Sequence, residues 1–390
     1  MNSMRVDVAI VGGGAIGAAA AYFLRRHPRS PSVVVIERDP SYQLASTPRA
    51  SGGVRRLFSL PENIALSNFG IPFFETFDAE MAVAGEPAAI NFRKSGYLFI
   101  VPPQATGVLA RNFEVQQANG VRVEWLEPRN LKARFPSMNV DDLGAGVLSP
   151  DDGWLDPYAV LQGLRRKTRS LGVEFVNDEA VALDVDGKRI TAVQLKSGRT
   201  IRAEAVINAA GAWAKEICAT VGWRVPIEPM RRYEHYFEAA EEIEPLPYIK
   251  DVHRLAFRPE GKGYTGGVPT LDEPRGYNFE VDHDYFQRVV WPALAARFPQ
   301  FERIREKNVM SGLYDQNEFD ATPIIGPWTK ELENFYLMAG FSGHGLMHAP
   351  GCGRAIAELI LHGRYETIDL ARFGWSRVVN GERCAETGII

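Results

Sequence analysis

Cysteine is nearly absent from this 390-residue chain: Cys218, Cys352 and Cys384 stand far apart, with no CxxC pair. An odd, scattered set excludes a disulfide framework. It points to a reducing compartment and to thiols of structural use, so a cytoplasmic location is expected. No charge of one sign dominates either. The 44 Lys and Arg against 48 Asp and Glu leave a net charge of −4, which gives no electrostatic case for nucleic acid or an anionic membrane surface. No apolar run approaches the roughly 20 residues that cross a bilayer. The N-terminal apolar stretch is broken by three glycines and carries no cleavable-signal pattern. Internal repeats and low-complexity linkers are missing too, so any domains are expected to interleave. Metal-ligand clusters are equally scarce. His344 and His348 have a zinc-like spacing, but glycines flank His344 and no carboxylate accompanies the pair. The serine of GFSGHG lacks the spacing of a hydrolase nucleophile elbow.

What remains is an ordinary soluble composition, 45% hydrophobic and 24% charged, with room for two or three domains. Its organising stretch is VDVAIVGGGAIGAAAAYFLRRHPRSPSVVVIERD. Val6 to Val11 reads as a buried strand, Ala15 to Leu24 as a helix, and Val33 to Ile36 as a second strand ending on Glu37. Gly12-x-Gly14-x-x-Gly17 between strand and helix is the dinucleotide fingerprint. Gly12 makes the turn, Gly14 admits a pyrophosphate, and Gly17 lets helix and strand pack closely. The helix N-terminus offers free N–H groups to phosphates. Glu37 is placed to accept ribose hydroxyls. The fingerprint alone serves FAD or NAD. Two further glycine turns after apolar strands, at Gly211 and at Gly340 to Gly345, favour the longer FAD, leaving an NAD-dependent dehydrogenase as the weaker reading.

Beyond Asp39, a stretch rich in Ser, Thr, Gly and Arg suits close approach to a flat ligand. Helices are predicted from Ile64 to Phe77, Val108 to Ala118, Tyr158 to Ser170 and Asp284 to Phe298. Strands are predicted at Gly96 to Val101, Val121 to Trp125 and Val173 to Val176. Ala180 to Val185 and Arg189 to Leu195 form a hairpin about Asp186-Gly187. A strand-rich region opens at Pro226 to Ala239 and continues through Leu255 to Phe257 and Gly263 to Val268.

The segments VAIVGGGAIG, VVVIERD, VINAAGAW, DDGWLDP and GFSGHGLMHAPGCGRAIAELI resemble the D-amino-acid oxidase superfamily, within it the sarcosine oxidase and dimethylglycine dehydrogenase branch. FSLPEN, SGYL, LQGLRRK and EVDHD extend the likeness to mitochondrial members tied to complex I assembly, and it spans essentially the whole chain. The resemblance implies an α/β Rossmann-type FAD domain from residues 1–80, 145–222 and 315–376. It implies an α+β substrate domain on a mainly antiparallel sheet from 81–144 and 223–314, with 377–390 as a tail. It implies that Gly12, Gly14, Ala15, Ile16 and Gly17 meet the pyrophosphate, and Glu37 and Arg38 the ribose side. Ser46, Thr47, Ser51, Gly52 and Gly53 would line the loop beside phosphate and flavin, and Val181 would meet adenine through its backbone. Gly211 and Trp213 would brace the cofactor, and Gly343, His344, Gly345 and Leu346 would meet the flavin ring, with the positive end of a helix from Pro350 onward behind them. Arg55, Arg258, Tyr264, Tyr314 and His344 are the implied catalytic candidates.

The implied reaction is hydride transfer to flavin from an N-methylated, secondary or D-amino acid, with electrons passed to a quinone, an electron-transfer protein or oxygen. The branch attaches flavin through a cysteine aligned with Gly312 or a histidine aligned with Arg49. Neither nucleophile is present, so FAD is expected to be non-covalent. Met347 replaces the branch's carboxylate-binding lysine, which argues against sarcosine itself. Neutral Thr265 replaces a lysine that promotes reaction with oxygen, which favours a dehydrogenase. The alternative function is an FAD-carrying assembly factor for a respiratory complex, with little turnover.

Overall fold

The computed structural model describes residues 3–251, 254–270, 272–328 and 331–388. Two eight-stranded sheets dominate it. In the first, five parallel strands lie in the order Phe335–Ala339, Thr200–Asn208, Ser3–Val11, Val33–Glu37 and Glu174–Asn177. Ile324–Pro327 closes one edge antiparallel, and the hairpin of Ala180–Asp186 and Arg189–Leu195 hangs from Thr200–Asn208. The central strand Ser3–Val11 thus pairs with a neighbour almost 200 residues away, Ser3 opposite Thr200. Parallel strands buried on both faces need continuous apolar runs, which Val8 to Val11 and Val33 to Ile36 supply.

The fingerprint helix Ala15–Arg26 packs against this sheet and against Gly345–His362. Ala18 to Ala21 are all fully buried. A β-carbon at Gly353 would lie 2.7 Å from the Ala19 carbonyl carbon, so only small residues permit this helix spacing. Pro157–Ser170 starts where the Asp156 carboxylate accepts the Ala159 N–H at 3.0 Å, an N-cap worth about 1 kcal/mol.

The second sheet runs Ile304–Asn317, Ile227–Ala239, Gly263–Gly267, Ala256–Glu260, Tyr248–Asp251, Tyr97–Val101, Ala145–Ser149, Glu124–Leu126. Only the contact of Tyr248–Asp251 with Tyr97–Val101 is parallel, so the expected mainly antiparallel sheet is present. Ala145–Ser149, in a stretch expected to begin an FAD segment, pairs inside this second sheet.

Three local expectations change. Ala145–Ser149 and Tyr248–Asp251 are strands where none was predicted, being too short for their alternation to register. The helix expected from Asp284 is split into a π-turn, Phe286–Val290, and an α-helix, Trp291–Arg297. Pro292 has no N–H to give the preceding turn, which fits wider hydrogen bonding there. The helix expected from Pro350 begins at Gly345, five residues earlier, with Pro350 inside it.

Candidate active site

The fingerprint turn is built as its spacing predicts. Gly12 has φ +101°, and a β-carbon there would sit 2.4 Å from the Ala209 carbonyl oxygen. At Gly17 a β-carbon would sit 2.0 Å from the Gly12 oxygen, so this glycine serves helix–strand contact and does not line the cavity. At Gly14 the nearest atom would be the Thr47 hydroxyl at 3.6 Å, so the space is open. The Thr47 oxygen accepts the Ala15 N–H at the helix start. Glu37 takes the Gly13 N–H on one oxygen and the Asp39 N–H on the other, each at 2.8 Å. Burial nevertheless raises its pKa. The Arg38 guanidinium lies 3.8 Å from the Trp213 ring centroid, and Trp213 stacks on Tyr277 at 5.4 Å.

These residues share one cavity of about 770 Å³ with Ile16, Ser46, Ser51, Gly52, Gly53, Gly211, Gly343, Gly345 and Leu346. That volume is typical of a cofactor site. Ser46 donates to the Leu313 carbonyl at 2.5 Å, which ties the loop to the strand carrying Tyr314. A β-carbon at Gly343, φ +99°, would fall 2.5 Å from the Tyr314 ring, so the tyrosine closes on the turn only because this residue is glycine. Val181 is 46% exposed, and Glu179 and Ala180 beside it line the cavity instead.

Deeper in the cavity stands Arg55, 1% exposed. One guanidinium nitrogen donates to the Leu57 carbonyl at 2.8 Å and another to His344 Nε2 at 2.9 Å. The third, Nε, is buried without a partner, and the Phe58 ring lies 4.1 Å from the guanidinium. Since arginine only donates, His344 Nε2 accepts and its proton sits on Nδ1. Burial first, then Arg55, hold the His344 pKa well below its ordinary value. His348 is buried behind it, its pKa pushed down to about 3 by burial and Arg55. Arg56 is spent structurally on Asp152, whose pKa burial raises to about 6.

Two expected catalytic residues stand elsewhere. Arg258 gives its Nε to the Ser51 carbonyl at 2.7 Å and pairs with Glu260, so it braces the flavin-side loop from behind. Tyr264 is packed among Phe237, Phe257 and Phe301, on the strand face opposite the cavity. In its place the cavity takes Lys250, Glu234, Arg232 and Tyr248, none singled out from sequence. Glu234 accepts from Thr265 at 2.7 Å, and burial raises its pKa to about 7. Lys250 has its pKa driven well down by burial and by neighbouring Arg55 and Arg232.

The family profile described as DAO, FAD dependent oxidoreductase, matches residues 7–359. The chain belongs to this family. FAD-dependent oxidoreductase domain-containing protein 1 of Bos taurus is 36% identical over 426 residues, covering 99% of this chain and 87% of that protein. Mitochondrial sarcosine dehydrogenase of Mus musculus is 29% identical over 301 residues, covering 72% and 32%. L-proline dehydrogenase from P. horikoshii has the same fold, with a TM-score of 0.88 at 24% identity over 98% of this chain and 100% of that one. FAD is therefore the cofactor, and the residues present fit it. Gly14 and Gly211 leave open space, Glu37 offers carboxylate oxygens at a strand end, and the Gly345–His362 helix begins at the cavity. No helix among the described residues is long and apolar enough to cross a membrane.

Proposed function

We propose that this FAD-dependent oxidoreductase oxidises the C–N bond of an amino acid, N-methylated, secondary or D-configured. Arg55 carries the reading. A fully buried guanidinium whose partners among the described residues are the neutral Leu57 carbonyl and His344 costs several kcal/mol, a cost that a substrate carboxylate in the cavity offsets. Bound FAD supplies a two-electron acceptor for the hydride on the carbon beside nitrogen.

In this reading the pyrophosphate lies at Gly12, Gly14, Ala15 and Ile16, the ribose at Glu37, and the ring against Gly343, His344, Gly345 and Leu346. Arg55 fixes the carboxylate and thereby the carbon to be oxidised. His344, held neutral, adds no charge that would compete with Arg55 for it. Phe58 and Phe99, both in the cavity wall, exclude water from the ion pair. Attachment is non-covalent: Gly312 and Arg49 face each other, with 3.0 Å between a β-carbon at 312 and that of Arg49, and neither offers a nucleophile for flavin. Acid precipitation should leave a colourless pellet.

A dehydrogenase is favoured over an oxidase. Thr265 spends its hydroxyl on Glu234, Lys262 is exposed, and burial with neighbouring Arg55 and Arg232 disfavours the charged form of the Lys250 amine. The deciding experiment is an anaerobic screen of N-methyl, secondary and D-amino acids by flavin absorbance. Bleaching within the turnover time supports the enzyme. Persistent yellow with all of them would favour the FAD-carrying assembly factor.

A further inference from the structure

The cavity is larger than its cofactor half. Beyond Arg55 it continues between the second sheet and the helix Thr106–Ala118, where Leu57, Phe58, Val101, Val108, Leu109 and Val147 line it. Phe99 and Val147 sit opposite each other in register, so one sheet face forms the floor. The roof is the helix, held by Gln116, whose amide donates to the Phe58 carbonyl at 3.2 Å.

The end of this arm is built by residues from far along the chain. Glu386 accepts the Ser59 N–H at 2.5 Å, the Leu60 N–H at 3.2 Å and the Asn63 amide at 2.7 Å. Thr387 then gives its N–H to the Ser59 hydroxyl and takes the Asn112 amide, each at 2.8 Å, and with Gly388 it joins the cavity wall. A compact amino acid such as an N-methylglycine, held at Arg55, would leave this apolar space unfilled. Its polar lining, Ser59, Asn112 and Thr387, is already engaged in the hydrogen bonds that close the far end.

We infer that the arm is the subsite for a large apolar side chain or N-substituent of the amino-acid substrate, with Arg55 taking the carboxylate at its inner end. The inference rests on the proposed function and narrows it from amino acids in general to those with an extended apolar group. Occupancy by the substrate follows from continuity: the arm and the Arg55–His344 pair share one cavity and meet at Phe58, whose ring is 5.2 Å from that of His344.

The test uses FAD-loaded protein and unoxidisable acids (acetate, butyrate, hexanoate), each titrated by perturbation of flavin absorbance. Burying each methylene should tighten binding about three- to fourfold, so hexanoate should exceed acetate by roughly a hundredfold. Val108→Trp, which fills the arm from a half-buried position, should abolish that advantage while acetate binding and FAD content hold. If acetate and hexanoate bind equally, the arm inference falls and the amino-acid reading stands. If no acid perturbs the flavin, both fall. If decylubiquinone instead binds in a Val108→Trp-sensitive manner with no chain-length dependence among the acids, the arm serves an apolar acceptor and the inference is overturned.

Discussion

The two ends of the cavity are made of different material. The end near Glu37 is made chiefly of backbone: N–H groups, glycines and a helix start at the edge of a parallel sheet, most of it set by spacing within the first 40 residues, with the Glu37 carboxylate and the Arg38–Trp213 pair added to it. The end near Arg55 is made of side chains from strands at 97–101, 145–149, 248–251 and 304–317. A backbone site tolerates almost any side chain that points away and fails outright when a β-carbon enters. A side-chain site should fail by degrees, one interaction at a time.

The largest expected effect follows from that contrast. Gly14→Val should give folded, colourless protein, because Gly14 has room in the protein itself and the branched side chain takes only ligand space. Gly17→Ala, whose β-carbon meets a carbonyl at 2.0 Å, should lower thermal stability instead, with overpacking costing about 1–3 kcal/mol or more. A yellow, fully loaded Gly14→Val protein would break the contrast.

Next comes Arg55→Ala, which should lower kcat/KM for an identified amino acid by about 2–4 kcal/mol, roughly 30- to 1,000-fold. Arg258→Ala should cost turnover less than about tenfold and appear as weaker FAD retention, since its hydrogen bond holds the Ser51 carbonyl. Equal losses from both would show that the side-chain end does not grade.

Protonation sharpens the comparison further. His348 binds no proton in the fold until about pH 3, whereas the unfolded chain takes one near its ordinary 6.5. Between those values the unfolded state holds more protons. This residue's contribution is therefore present above pH 6.5 and is lost as pH falls toward 3, at up to about 1.4 kcal/mol per pH unit. His348→Gln should flatten the urea-unfolding free energy against pH by up to that slope. Asp152 and Asp315, raised to about 6, act in the opposite sense and remain in both proteins, so the difference between the two isolates His348.

The smallest effect is expected at Lys250. An amine whose charged form is disfavoured by burial and by Arg55 and Arg232 should add little to oxygen reduction. Lys250→Met should thus change stopped-flow reoxidation by air less than roughly threefold, against the hundredfold or more typical of losing a group that stabilises developing charge. A large drop would mean the lysine is protonated beside reduced flavin, and an oxidase would follow.

The same division explains what the sequence made legible. Glycine spacing between a strand and a helix encodes backbone geometry directly, so Gly12, Gly17, Glu37 and the Gly340 to Gly345 turn could be placed before any coordinates. Arg55 and His344 were reached by resemblance alone. Lys250 and Glu234 were missed because a four-residue strand and one register position on a long strand leave no periodic trace. Arg258 and Tyr264 lie near the right strands, but alternation sends neighbouring side chains to opposite faces, and only the pairing partners settle which face is the cavity. Val181 next to Ala180 is the same one-residue ambiguity.

The pairing of Ser3–Val11 with Thr200–Asn208 also sets a clock. At about 5–20 residues per second, residues 200–208 emerge roughly 10–40 seconds after the first strand. Throughout that time Val6 to Val11 lacks a neighbour on one edge, and the wall formed by residues 386–388 is still later. During synthesis this chain therefore carries an unpaired apolar strand edge for longer than a locally folding domain would.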